Sequence, residues 1–303
     1  MSFAGDVKTE LCRNAMNRKC CVQAEAYGIL MYCNTYTGDE IRIITENEAF
    51  AQRLPMLFRK AFKLTFDRLP QGDGKFIFSI TDPEKLAVIA HTYGGDPAAL
   101  ALHVNYAVLE ENCCRAAFLR GVFLAGGSVT DPRKSYHLEM STSHLSVSRE
   151  MVALMRELNL EPKDAQRRGN SVVYFKQSDR IEDFLTTVGA PLSAMEVMNT
   201  KVEKNLRGSV NRRVNCEAAN LDKVVEAALV QTEAIHRLEE SGRLLTLPEK
   251  LQESARLRMD NPTDTLAQLA ERCHPPVSKS ALNHRLRKLV ELSREELPAP
   301  EGT

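Results

Sequence analysis

Over its 303 residues the sequence has no excess charge of either sign: 40 Lys and Arg offset 40 Asp and Glu. The balance holds along the chain, with 25 of each sign in residues 1–205 and 15 of each in residues 206–303. This excludes a uniformly basic coat that grips nucleic acid regardless of sequence, so any contact with phosphates has to come from a local patch. No apolar run approaches the roughly 20 residues that cross a bilayer. The first residues, MSFAGDVKTELCRN, lack the apolar core of a secretory signal. A cytoplasmic protein with no membrane partner is expected. There is no P-loop, no dinucleotide fingerprint and no catalytic-triad spacing.

Cysteine is present, but not in ligand spacing. None of the eight forms a C-x-x-C pair: Cys12, Cys33, Cys216 and Cys273 stand alone, and Cys20-Cys21 and Cys113-Cys114 are adjacent doublets. Doublets are a poor spacing for a tetrahedral zinc site. All eight are therefore read as reduced, buried thiols acting as small apolar residues. No metal and no cofactor is expected. His91, His103, His137 and His144 are scattered and read as structural. Gly72-Asp73-Gly74 and Gly94-Gly95 read as turns.

What the sequence does have is an internal repeat. CCVQAEAYG ends at Gly28 and CCRAAFLRG ends at Gly121, so the doublets and the glycines recur at the same offset. The flanks run in parallel. Strand-like IRIIT (41–45) answers YHLEM (136–140), and helical FAQRLPMLFRKAF (50–62) answers REMVALMRELNL (149–160). KFIFSI (75–80) answers SVVYFK (171–176), and each copy closes on an Asp-containing turn and a further helix. Two α-β-β-α units in tandem are predicted. Gly28 and Gly121, lacking a Cβ, let their two helices approach closely.

The stretch LRGVFLAGGSV (119–129) resembles the LAGLIDADG signature of homing endonucleases, with Leu119, Gly121 and Gly127-Ser128-Val129 in register. The resemblance implies the α+β fold of that family, a pseudo-dimer built on two such helices. It also marks two departures, at Leu124 and Gly126. The family places an acidic metal ligand where this chain has Gly126, and the first repeat has Cys33 there. Phosphodiester cleavage with Mg²⁺ needs hard oxygen ligands, so the fold is expected without the catalytic apparatus. Asp131 lies beyond the helix end in a TDP turn and is not expected to substitute.

Beyond residue 198 the character changes. Residues 199–219 are polar and basic, with Lys201, Lys204, Arg207, Arg212 and Arg213 against Glu203 and Glu217, and read as a linker whose Lys204, Arg207, Arg212 and Arg213 supply phosphate contacts. The rest is helical. Asn220 is placed as an N-cap, Gly242 as a stop, PEKLQESARLRM as a helix halted by Asn261-Pro262, and DTLAQLAERC as a helix begun by Thr263-Asp264. Ser278 caps SKSALNHRLRKLVELSREEL. The last two helices have helix-turn-helix proportions. Leu266, Leu269 and Ala270 form one apolar stripe, and Leu282, Leu286 and Leu289 the other. From Arg272 to Val290 there are five basic residues and no acidic one. The candidate DNA contacts are Ser278, Lys279, Ser280, Asn283, His284, Arg285, Arg287 and Lys288. Asn283 suits adenine and Arg287 suits guanine; Arg285, nearer the apolar stripe, suits a phosphate.

RAAFLRGVFLAGGSVTDP, NRRVNCEAANLDK and SKSALNHRLRKL in this order resemble the WhiA family, bacterial regulators linked to sporulation and cell division, over essentially the whole chain. The resemblance implies a DNA-binding transcriptional regulator with no nuclease activity, its helix-turn-helix similar to region 4 of sigma factors. Its expected partners are double-stranded DNA and an RNA polymerase sigma factor or another transcription regulator, with a place at the nucleoid. The domains expected are an N-terminal segment (1–19), the LAGLIDADG-like domain (20–198, repeats 20–95 and 113–190), the basic linker (199–219), the helix-turn-helix domain (220–297, motif 264–297) and a disordered tail (298–303). The rival readings are an interaction scaffold of the transcription machinery and an active endonuclease or maturase.

Overall fold

The computed structural model describes residues 2–70, 74–94 and 102–295. Parts of the Gly72-Asp73-Gly74 and Gly94-Gly95 turns, and the whole tail 298–303, lie outside these residues. The chain forms two compact units, Met1–Asn205 and Leu206–Thr303.

The first unit opens with α1 (Phe3–Leu11) and then the first repeat: α2 (Lys19–Tyr32), β1 (Thr35–Tyr36), β2 (Ile41–Thr45), α3 (Glu48–Phe62), β3 (Phe76–Ile80) and α4 (Pro83–Thr92). The second repeat is α5 (Asn112–Gly126), β4 (Gly127–Val129), β5 (Leu138–Thr142), α6 (Leu145–Glu157), β6 (Lys163–Arg167), β7 (Asn170–Phe175) and α7 (Ser178–Val188). Each repeat thus begins α-β-β-α and continues with strand and helix. The first sheet is β1-β2-β3 and the second β4-β5-β7-β6, antiparallel at every pairing. The β6–β7 hairpin turns on Arg168 and Gly169, both with positive φ (50° and 84°), the geometry of the tight turns that match strand twist.

The two repeats meet at α2 and α5, as the paired glycines predict. A Cβ on Gly28 would lie 2.1 Å from the carbonyl oxygen of Phe118, and one on Gly121 would lie 2.1 Å from that of Glu25. Each helix therefore presses its backbone onto the glycine of the other, and no side chain fits at either position. The contact buries Glu25, which is 1% exposed. Its carboxylate accepts from Arg53 Nε (2.6 Å) and Nη2 (2.9 Å) on α3 and from Arg120 Nε (3.0 Å) on α5. The guanidinium groups carry the network outward: Arg53 Nη1 donates to the carbonyls of Cys12 and Asn14, and Arg120 Nη1 to that of Val188. A buried carboxylate is tolerated because its lone pairs are filled by charged donors.

Residues 1–19 are not a separate segment. Phe3, Val7 and Leu11 of α1 are buried in the core of this unit. Glu10 accepts from the amides of Leu192 and Ser193, capping the helix that follows α7. That helix is the largest correction to the sequence reading. The basic linker and the capped helix after it are one element, α8 (Pro191–Glu240), and Asn220 lies in its interior. The stretch has no proline, and helix-favouring Lys, Glu, Arg, Ala and Leu outweigh one glycine, Gly208, whose cost is about 1 kcal/mol. Polarity was mistaken for irregularity.

The second unit holds the rest of α8 with α9 (Glu249–Asp260), α10 (Leu266–Arg272) and α11 (Lys279–Arg294). Its core is Ile235 and Leu238 of α8, Ala255, Leu269, Ala270, Cys273, Leu282, Leu286 and Leu289, so both expected leucine stripes face inward. Gly242, at φ 69°, follows the end of α8 as expected.

Gly28→Ala or Gly121→Ala is predicted to destabilise the first unit by about 1–3 kcal/mol or more, lowering its urea midpoint. Gly5→Ala, whose Cβ meets nothing nearer than 3.4 Å, should change it by less than about 0.5 kcal/mol. Glu25→Gln leaves two guanidinium groups under-compensated, and the same titration should show a loss of about 3–5 kcal/mol.

Candidate nucleic-acid interface

The helix-turn-helix is α10, the segment Cys273–Ser278, and α11. Thr265, one residue later than expected, caps α10: Gln268 N–H donates to its hydroxyl, and Gln268 Oε1 accepts from the Thr265 amide, a capping box. Ser278 caps α11 as predicted, accepting from the amide of Ala281 (3.2 Å). Val277 N–H donates to Ala270 O, closing the turn between the helices.

With Leu282, Leu286 and Leu289 buried, α11 turns Ser280, Ala281, His284, Arg287 and Lys288 outward, all exposed. At 3.6 residues per turn these five occupy an arc of roughly 120°. Ser278 and Lys279 are exposed at its N-terminal end, and Asn283 is half-buried at the edge. Lys288 reaches Glu291 (3.5 Å), the first acid along the helix. Ala281 was missed by the sequence reading, which looked for polar side chains. An exposed alanine near the start of such a helix can meet a thymine methyl, and its place on the arc was readable from the leucine register.

Two expected contacts are engaged elsewhere. Arg285 turns inward, its side chain 17% exposed, with Nη1 3.6 Å from Glu253 on α9. Glu253 also accepts from the amide of His274 in the turn, so this carboxylate fixes the motif and Arg285 is its counter-ion. Lys204 donates to the carbonyl of Pro132 (2.7 Å) and lies 4.7 Å from the Tyr136 ring centroid. Arg207, Arg212 and Arg213 are exposed. At about 100° per residue they point in different directions around α8, so the helix does not gather them on one face.

Sequence reasoning also missed Arg258. It is 2% exposed, donates from Nε to Gln231 Oε1 and from Nη1 to the carbonyl of Asp264, and so ties α8, α9 and the approach to α10.

At the C-terminal ends of α2 and α5 lie Cys33 and Gly126, the positions that the LAGLIDADG resemblance aligns with acidic metal ligands. A Cβ on Gly126 would lie 2.8 Å from Ser141 O and 2.9 Å from Tyr32 Cδ1, so a carboxylate there would have to displace a strand carbonyl and a ring. Cys33 donates toward the carbonyls of Leu30 and Thr35 (3.2 and 3.0 Å), and burial pushes its thiol up to about 12. Asp131 is spent on its own turn, accepting from the Arg133 amide (2.8 Å). The adjoining cleft carries both signs, with Lys8 and Lys75 against Glu46 and Glu48, and burial lowers the Lys8 ammonium to about 8. On the second sheet, Arg167 and Lys176 sit over the Tyr174 ring at 5.8 and 5.5 Å, and Arg167 also pairs with Glu139 (3.3 Å).

A LAGLIDADG-like unit followed by a helix-turn-helix unit is the class of protein this architecture defines. A model of the WhiA LAGLIDADG-like domain matches residues 115–207, and a model of the WhiA C-terminal HTH domain matches residues 210–293. The probable cell division protein WhiA of Ruminiclostridium cellulolyticum is 37% identical over 305 residues, with 97% of each chain covered. That of Alkaliphilus metalliredigens is 36% identical over 315 residues, with 98% of each covered. The chain belongs to the WhiA family. The crystal structure of full-length WhiA from T. maritima covers 98% of this chain and 100% of its own at a TM-score of 0.60 and 22% identity, a likeness of fold. No helix among the described residues is long and apolar enough to cross a membrane.

Arg285→Ala is predicted to lower the thermal transition of the second unit by removing the counter-ion of Glu253. Arg287→Ala, at an exposed position, should leave that transition unchanged within about 0.5 kcal/mol. Calorimetry of the two variants makes the comparison.

Proposed function

We propose that the protein is a sequence-specific regulator of transcription that binds double-stranded DNA through α11 and does not cut it. The observation that carries this reading is the exposed arc of α11. Its N-terminal half presents Ser280, Ala281 and His284, side chains short enough to let the helix sit against base edges, and Arg287 and Lys288 follow. A recognition helix needs that order, with base-reading groups near its N-terminus and cations placed for phosphates. Arg287 is suited to a guanine edge by its fork of donors, and Lys279 and Lys288 to phosphates. Asn283, at the edge of the arc, suits an adenine. Arg207, Arg212 and Arg213 add phosphate contacts of second rank.

The LAGLIDADG-like unit supports the non-cleaving half of the proposal. Metal-assisted hydrolysis needs oxygen ligands to hold the ion and lower the pKa of a bound water. Gly126 has no side chain and no room for one, and Cys33 is a protonated thiol hydrogen-bonded to carbonyls. The unit then serves as scaffold or as docking surface for another transcription protein, a role its neutral charge suits.

Binding of the full-length protein to genomic fragments, in a salt series with Mg²⁺ present, is the test. Arg287→Ala should cost about 1–3 kcal/mol at the preferred site and relax specificity there, and Lys288→Ala should weaken all sequences alike and reduce the salt slope by about 1. The fragments should remain intact. Strand breaks that require Mg²⁺, or binding indifferent to both substitutions, would contradict the proposal.

A further inference from the structure

The two cysteine doublets, which their sequence spacing seemed to disqualify as a metal site, converge in space. The Sγ atoms of Cys20, Cys21, Cys113 and Cys114 all lie within 4.8 Å of one another. Each doublet sits in the first turn of one central helix, and the Gly28–Gly121 contact holds those helices together. The spacing rule for zinc ligands assumes that one loop supplies a pair. Here the pairs come from two repeats, and the fold rather than the local chain makes the tetrad. Cys114 is buried, Cys21 and Cys113 are half-buried and Cys20 is exposed, so the reading of all of them as buried apolar thiols fails. Cys114 belongs to the core and Cys21 and Cys113 pack against it, but packing gives no reason for the exposed Cys20 to join them.

We propose that this tetrad is a structural zinc site, with the four thiolates as its ligands. Four features support the assignment. The first is size. Zn–S bonds of about 2.3 Å in a tetrahedron place sulfurs about 3.8 Å apart, within reach of the present spacing by side-chain rotation alone. A four-iron cluster, by contrast, holds its thiolates around a cube of iron and sulfide and spaces them more widely.

The second is electrostatics. Four thiolates and Zn²⁺ sum to two negative charges. They would lie at the N-terminal ends of α2 and α5, where the helix dipoles supply roughly half a positive charge each. Arg18 adds a full one, with Nη1 3.6 Å from Cys113 Sγ. The third is the state of those helix ends. Neither Arg18, the N-cap of α2, nor Glu111, the N-cap of α5, makes a side-chain capping bond, so first-turn amides remain to face sulfur. The fourth is placement. Each doublet lies eight residues before its glycine, so the tetrad straddles the axis relating the two repeats. Cys33 and Gly126 straddle the same axis at the other end of the helices, about 20 Å away at 1.5 Å per residue.

Binding releases the thiol protons to solvent and involves no change of oxidation state. The ion would bridge the two repeats at the end of the helix pair remote from the lost catalytic centre.

Full-length protein purified under reducing conditions without chelator should contain one zinc per chain by elemental analysis. Co²⁺ added after zinc removal should give the intense charge-transfer and red ligand-field bands of a tetrahedral thiolate site. C20S/C113S, which takes one sulfur from each doublet at its more accessible positions, should lose both the zinc and the bands. C216S, at an exposed cysteine on α8, should keep them. Zinc should also protect Cys20, Cys21, Cys113 and Cys114 of the wild-type protein from alkylation, located by mass spectrometry, a readout independent of how well the double variant folds. The proposal is overturned if reduced wild-type protein takes up neither Zn²⁺ nor Co²⁺, or if zinc leaves the alkylation of these four unchanged. An iron–sulfur chromophore on anaerobic reconstitution, or two disulfides in place of metal in the reduced-purified protein, would overturn it equally.

Discussion

The fold of the first unit depends on the close backbone contact between α2 and α5. Gly28 and Gly121 bring α2 and α5 together so tightly that each helix's carbonyl fills the place where the other's Cβ would be. Two repeats, each with one sheet, become one folded unit through this contact. It also explains the polar network beside it. Glu25 precedes Gly28 by one helical turn, and Arg120 adjoins Gly121. The close approach that excludes side chains between the helices therefore drives an acid and a base into the same dry space. Arg53 adds a second guanidinium to the one carboxylate, and its remaining donor, Nη1, ties down the carbonyls of Cys12 and Asn14, anchoring the segment between α1 and α2. A hydrophobic substitute of equal volume would be no less stable in principle. What the ion network adds is direction, since its hydrogen bonds fix which face of α3 meets the helix pair.

Much of this was legible in the sequence because it rests on local rules. A glycine repeated at the same place in two similar helices has few explanations besides a close crossing. The leucine register of α11 fixes its outward arc by geometry alone, and Ser278 caps the helix as its residue type suggests. What stayed hidden depends on partners distant in sequence. Arg285 and Arg287 are chemically the same and two residues apart, yet Glu253 on α9 claims the first and, among the described residues, no acid claims the second. Lys204 was read as a free cation because Pro132 and Tyr136 lie in another part of the chain. The cysteine doublets gave a negative signal for the same reason, since ligand-spacing rules cannot see a site divided between repeats. The continuous α8 was missed for a different cause: a polar helix without an apolar face resembles a linker to any argument built on hydrophobic periodicity.

The first unit is LAGLIDADG-like, and both positions that the family resemblance aligns with acidic ligands are closed. At one, glycine is demanded by Ser141 and Tyr32. At the other, the thiol is held by carbonyls. The proposed DNA-reading surface lies on the second unit, whose three-leucine register and capped helix starts present a short polar arc with nothing acidic ahead of Glu291.

The central claim is that sequence-specific DNA binding resides in the helix-turn-helix unit. Its most direct test is a side-by-side measurement of affinity for a preferred genomic fragment by the full-length protein and by residues 1–205, which form the first compact unit. The account predicts that the shorter protein loses the sequence-specific component and retains at most weak, strongly salt-dependent binding. Undiminished specific binding by residues 1–205 would contradict it and place the DNA site on the sheets of the LAGLIDADG-like unit.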